Sequence, residues 1–270
     1  MCSSTNILLG GASIPFELIN GLIIVKAEIN GLPGNYIMDS GSNGVLLNQE
    51  SLSSNVSYQT LSSTLEGSEL EIKTLKVGDF ELDRFLGFTT DLSALEVYLD
   101  KKIDGILGCS IFSPKSIMFD FEAFHIIISD QRIDESEFDW MGSLPITMHE
   151  DLPLVDIEMN GQTLRFILDT GASSHFIDDS VREKMSVKMT PTGKEKNIIT
   201  AAGSEAIAKE YTIANCKLGS SNTQSIEAFE KDFDLISETM GMKISGLISV
   251  SKLSSSKVYI DLKSEKLHFD

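Results

Sequence analysis

The sequence predicts an all-β protein of two pseudo-symmetric lobes, each a small barrel or sandwich. Three observations predict it. Ordered sequence blocks recur about halfway along the chain, short alternating segments are punctuated by turn residues, and helical periodicity is scarce.

The repeat runs through the whole chain. Ile14-Pro15-Phe16-Glu17-Leu18 returns 130 residues later as Leu144-Pro145-Ile146-Thr147-Met148. At the same offset Ile29-Asn30-Gly31 matches Met159-Asn160-Gly161, and Tyr36-Ile37-Met38-Asp39-Ser40-Gly41-Ser42 matches Phe166-Ile167-Leu168-Asp169-Thr170-Gly171-Ala172. Gly67-Ser68-Glu69 echoes Gly203-Ser204-Glu205 at an offset of 136. At 141, Val77-Gly78 faces Leu218-Gly219, Ile103 to Gly108 faces Ile244 to Ser249, and Met118-Phe119-Asp120 faces Tyr259-Ile260-Asp261. Block order is kept and the offset grows only by insertion. Two domains are expected, 1–135 and 136–270, hinged in the acidic stretch Ser129 to Gly142.

Within each unit the local signals are β. Ile23 to Ile29 ends in alternation, as does Asp156 to Met159, and Asn30-Gly31 and Asn160-Gly161 are hairpin turns. Leu92 to Leu99 and Asp232 to Met240 are each expected to hold a short helix.

Composition narrows the function. A chain of 270 residues fits about two domains, each able to bury its own core. Forty acidic against 22 basic residues leave a net charge of −18, which repels phosphate backbones and argues against a nucleic-acid partner. No apolar run approaches the roughly 18 residues of a membrane-spanning helix. Cys2, Cys109 and Cys216 are widely spaced and odd in number; Cys109 and Cys216 read as small core residues. The start carries no secretion signal, which makes the cytoplasm the default. A cysteine beside the start is also what a trimmed bacterial lipoprotein signal leaves, which would place the chain in the periplasm or cell envelope. His125, His149, His175 and His268 lack metal spacing, and His175 is expected at a surface or barrel edge.

One motif carries chemistry, an Asp on a tight glycine turn. In each unit an apolar strand runs straight into a carboxylate, Ile37-Met38-Asp39 and Ile167-Leu168-Asp169. A charge at a buried strand end costs several kcal/mol unless hydrogen-bonded or paired. The glycine two residues on lets the chain turn sharply and brings its N–H to the carboxylate. One such turn reads equally well as a structural cap. Two copies related by a pseudo-two-fold axis would instead bring the carboxylates together.

These residues resemble the aspartic peptidases of the pepsin and retropepsin type, most closely the bacterial retropepsin-like proteins with two lobes in one chain. The family mark, an apolar pair and then Asp-Thr/Ser-Gly-Ala/Ser/Thr, is met by Asp39-Ser40-Gly41-Ser42 and Asp169-Thr170-Gly171-Ala172. A second mark, two apolar residues and a glycine on a supporting strand, is met by Ile106-Leu107-Gly108; its repeat, Leu247-Ile248-Ser249, ends in serine. The resemblance implies the acid protease fold, with the active site between two retropepsin-like barrels. It implies Asp39 and Asp169 as the catalytic pair, with Ser40, Gly41, Ser42, Thr170, Gly171 and Ala172 supporting their loops. Ser40 and Thr170 would bond across the lobe interface. Gly67-Ser68 and Gly203-Ser204 would tip two flap hairpins over a peptide or protein substrate. It implies a monomer and neither metal nor cofactor. Two other functions remain open. Ser249 favours a peptide-binding module without turnover, and a sugar hydrolase would need the carboxyl groups at least about 5 Å apart. The acidic surface would weakly favour basic substrates.

Overall fold

The computed structural model describes residues 11–49, 56–59, 64–132, 134–184, 187–201 and 203–270. Its elements follow the repeat. In the first half, β1 (Ala12–Ile19), β2 (Leu22–Ile29) and β3 (Leu32–Asp39) lead to β4 (Val45–Asn48), and β5 (Val56–Gln59), β6 (Thr64–Val77) and β7 (Phe80–Thr90) follow. Helix α1 (Ser93–Leu99), β8 (Gly105–Gly108), β9 (Ser116–Asp120) and β10 (His125–Ser129) complete it. The second half opens with β11 (Gly142–His149), β12 (Leu152–Met159), β13 (Gln162–Asp169), β14 (Phe176–Asp178) and α2 (Asp179–Lys184). It continues through β15 (Met189–Ile199), β16 (Glu205–Lys217), β17 (Gln224–Lys231), α3 (Asp234–Thr239), β18 (Gly246–Ser249), α4 (Val250–Leu253), β19 (Lys257–Asp261) and β20 (Lys266–Phe269). Both short helices expected from the sequence are present, as α1 and α3. Cys216 is fully buried, whereas Cys2 and the side chain of Cys109 lie outside the described residues.

The Asn-Gly pairs turn as their chemistry requires. Asn30 and Gly31 take φ of 52° and 82°, and Asn160 and Gly161 take 51° and 79°, the left-handed pair of a two-residue hairpin. Each lobe then threads one strand between two others. β8 runs parallel to β3 with Asp39 opposite Gly108, and antiparallel to β4. β18 does the same with β13 and β14, placing Asp169 opposite Ser249. The loop after each Asp is therefore clamped over a buried strand.

A six-stranded sheet joins the lobes in the order β1–β10–β9–β19–β20–β11, with Met118 opposite Tyr259 across the lobe boundary. β1 and β11 each split their length between this sheet and their own lobe. Both switch immediately after a proline, Pro15 and Pro145, where the missing N–H interrupts the ladder. One core runs through both lobes, from Ile23 and Leu107 through Ile117 and Phe119 to Ile248 and Ile260. That continuity fixes the two Asp loops against each other. Among the described residues no helix is long and apolar enough to cross a membrane.

Candidate active site

β3 and β13 deliver Asp39 and Asp169 to the lobe interface, where each carboxyl lies against the glycine of the other loop and the two interact directly. Each is held from its own loop. The Gly41 N–H donates to Asp39 Oδ1 at 2.8 Å, and the Gly171 N–H donates to Asp169 Oδ1 at 2.7 Å. The glycines also make room across the axis. A Cβ on Gly41 would lie 2.9 Å from the Asp169 carboxyl carbon, and one on Gly171 would lie 2.4 Å from that of Asp39. Any side chain there would force the carboxyls apart.

Ser40 and Thr170 lock the loops reciprocally. The Ser40 N–H donates to Thr170 Oγ1 at 2.8 Å and the Thr170 N–H donates to Ser40 Oγ at 2.9 Å. Each hydroxyl then donates onward, Ser40 to the Leu168 carbonyl at 2.7 Å and Thr170 to the Met38 carbonyl at 2.9 Å. These four bonds are buried, so each is costly to leave unmade. The first hairpin turn of each lobe adds a cross-lobe contact. The Asn43 amide donates to the Glu150 carbonyl at 3.0 Å, and the Ser251 hydroxyl donates to the Gly21 carbonyl at 2.7 Å.

The electrostatics separate the two acids. Burial lifts both carboxyls above the usual range. Asp169 goes well above it, because the charge of Asp39 adds to burial. Asp39 rises less, because Asp169 and the Gly41 N–H favour its charged form, helped least by the Ser42 hydroxyl, which sits beside it and donates to the Asp39 main-chain carbonyl at 3.4 Å. Ala172, at the matching place in the second loop, has no hydroxyl to offer. Of the two, Asp169 is the carboxyl that more strongly favours its protonated form.

Support beneath the loops differs between lobes. Gly108 N–H donates to the Gly44 carbonyl at 2.7 Å, and a Cβ on Gly108 would meet the Ser42 carbonyl at 2.4 Å. In the second lobe the Ser249 hydroxyl donates to the Ala172 carbonyl at 2.7 Å, and the Ser249 N–H donates to His175 Nδ1 at 3.1 Å. His175 is not at the surface, as its polarity suggests, but 9% exposed. Burial pushes its pKa down to about 4, so the ring is neutral and can accept that bond.

The pair opens into a cavity of about 140 Å³ between the lobes. Leu22, Leu46, Leu95 and Ile106 wall one side; Phe176, Lys231, Ile236 and Leu247 wall the other; and Asn197 to Ala201 cover it. That cover belongs to the β15–β16 hairpin, whose tip carries Gly203 at φ 74° and Ser204, with the Gly203 N–H on the Thr200 carbonyl. Ile199 and Ala201 pack against the α1 cluster of the opposite lobe. Gly67 and Ser68 are placed differently from a flap tip. They lie inside β6, Gly67 opposite Val56 and Ser68 opposite Thr89, where the strand passes so close to Thr89 that a Cβ on Gly67 would overlap its carbonyl oxygen. The turn joining β5 to β6 lies outside the described residues. Lys231 was missed by sequence reasoning; only strand register reveals its place.

Each half of the chain matches an aspartyl protease family profile. Residues 25–111 match the family described as "Aspartyl protease", and residues 155–244 match that described as "gag-polyprotein putative aspartyl protease". No curated protein matches the chain. Among solved structures, the aspartic proteinase from Irpex lacteus is similar over 96% of both chains, with a TM-score of 0.54 at 13% identity, a likeness of fold. The chain belongs to the retropepsin- and pepsin-like aspartic peptidase family.

Proposed function

We propose that the protein is an aspartic endopeptidase working as a monomer, with Asp39 and Asp169 as its catalytic pair and the lobe boundary at 135/136. The reading is carried by one observation: two facing carboxyls, locked by reciprocal Ser40 and Thr170 bonds, at the base of a covered cleft.

Two carboxyls in contact share one proton, since both cannot easily ionise, as in aspartic proteases generally. Ionised Asp39 takes a proton from a water held between the carboxyls, and the water oxygen attacks the peptide carbonyl carbon. Asp169 gives its proton to the carbonyl oxygen, leaving a neutral tetrahedral diol in place of an oxyanion. Asp39 then passes its proton to the leaving nitrogen, the C–N bond breaks, and Asp169 recovers a proton from the diol. One water is consumed and the pair is restored. The β15–β16 hairpin excludes solvent over the extended substrate, and the β5–β6 hairpin is its counterpart.

The test is cleavage of a peptide library between pH 3 and 7, with and without pepstatin. Pepstatin-sensitive cleavage in the acidic range is the expected result. Binding of peptides without any cleavage would sink the enzymatic reading in favour of a binding module.

A further inference from the structure

The repeat allows each residue of the cleft wall to be compared with its counterpart. In the first lobe the β4–β7 register sets Leu46 opposite Phe88 and Asn48 opposite Thr90. In the second, β14–β17 sets Phe176 opposite Phe229 and Asp178 opposite Lys231. Lys231 therefore stands where the first lobe has the buried Thr90.

Lys231 is half-buried and lines the cavity beside Asp169, Phe176 and Leu247, the one cationic side chain in that lining among the described residues. Its ammonium lies 5.9 Å from the Phe233 ring centroid and, among the described residues, forms no hydrogen bond or ion pair. Other partly buried lysines are partnered: Lys101 by Glu17, Lys257 by Asp120 and Glu122, and Lys196 by the hydroxyls of Ser173 and Ser174. Asp169 and Asp232 attract its charge only through space, so a partly desolvated ammonium without a hydrogen-bonded counter-ion carries a cost that an incoming carboxylate would offset. Across the cleft, Leu46, Leu95 and Ile106 present only apolar surface.

Resting on the peptidase reading, we propose that Lys231 determines specificity: the protein prefers peptides with Asp or Glu in the pocket on the Asp169 side and an apolar residue on the other. The net charge of −18 points the other way, toward basic substrates. Surface charges, however, are screened beyond about 8 Å at physiological ionic strength, whereas a substrate side chain in the cleft meets Lys231 directly. The local cation prevails.

The experiment uses a cleaved library peptide in which Glu or Gln is placed at each position flanking the scissile bond. At one position the wild type is expected to favour Glu by about tenfold in kcat/KM, the scale of one charge-assisted hydrogen bond. Lys231→Met should bring that ratio near one, Lys231→Arg should keep it, and Lys231→Glu should turn the preference toward Lys. A wild type indifferent to Glu and Gln at every position, or a folded Lys231→Met protein that keeps the preference, would overturn the proposal. If the folded wild type cleaves nothing, the peptidase reading fails, and fluorescence anisotropy with the same peptides decides about Lys231. Tighter binding of a Glu peptide, lost in Lys231→Met, supports it; equal binding overturns it.

Discussion

The loops carrying Asp39 and Asp169 are near copies in sequence and backbone, yet they rest on different chemistry. Under Asp39 the supporting strand comes so close that only a hydrogen atom fits at position 108, and backbone groups meet directly. Under Asp169 the strand leaves room for a side chain, and Ser249 and His175 fill the gap with a hydroxyl and an imidazole. In both lobes the same loop carbonyl, that of Ser42 or Ala172, faces the strand. The comparison teaches that the glycine of the motif answers a distance between backbones. Where that distance grows, a buried polar network can meet the same demand, provided every member is satisfied.

Four experiments break or sharpen the comparison. The largest effect is expected where the lobes act as one. Asp39→Asn and Asp169→Asn should each lower kcat/KM by about a thousandfold or more, and the double variant should lose little beyond either single one. Thermal melting should stay level or rise, since one of two crowded buried carboxyls is gone. Additive losses would show that the pair does not work as a unit.

Exchanging the two supports separates them next. Gly108→Ser must push aside the Ser42 and Gly44 carbonyls and should cost about 3 kcal/mol, with a fall in melting temperature. Ser249→Gly removes one buried hydroxyl bond and should cost only about 1 kcal/mol. Equal costs in chemical denaturation would mean that the strands lie equally close.

The third experiment concerns pH. His175 titrates near 4 when folded and near 6.5 when unfolded. Between those values the unfolded chain binds more protons, so the His175 contribution is complete above about pH 6.5 and is lost as pH falls toward 4, up to about 3 kcal/mol. Asp39 and Asp169 act in the opposite sense, because their raised values favour the folded state as acid is added. His175→Gln should therefore flatten the stability decline of the wild type across that window. Parallel wild-type and variant curves would count against a neutral, bond-accepting imidazole.

The smallest effect should come from Ser42→Ala, which makes the first loop like the second. Losing the hydroxyl bond to Asp39 should move the acidic limb of the pH–rate profile upward by a fraction of a pH unit. A downward shift would reverse the assigned asymmetry.

Much of this was legible in the chain, because the telling features are local. Asn30-Gly31 and Asn160-Gly161 declare hairpins through their tolerance of positive φ, and Asp-Ser/Thr-Gly declares a carboxylate on a glycine turn. What escaped depends on pairing between distant segments. Gly67 reads as a turn residue, yet it is needed where β6 passes Thr89, a contact 22 residues away. His175 reads as polar surface until β18 supplies its partner, and Lys231 reads as one lysine in an acidic chain until the β14–β17 register brings it into the cleft.

The sheet shared by the lobes has a consequence for how the molecule tolerates dilution. β9 and β19 pair antiparallel about Met118 and Tyr259, which occupy the same place in the two repeats, so the junction is self-complementary in the manner of a two-fold dimer. A separated half would expose an edge with Ile117, Met118 and Phe119 behind it, an invitation to join another half. Holding the halves on one chain replaces that encounter with a fixed effective concentration, so Asp39 and Asp169 stay together however scarce the protein is. It also releases the halves from being identical, and Ser249 and Lys231 are where the second half has used that freedom.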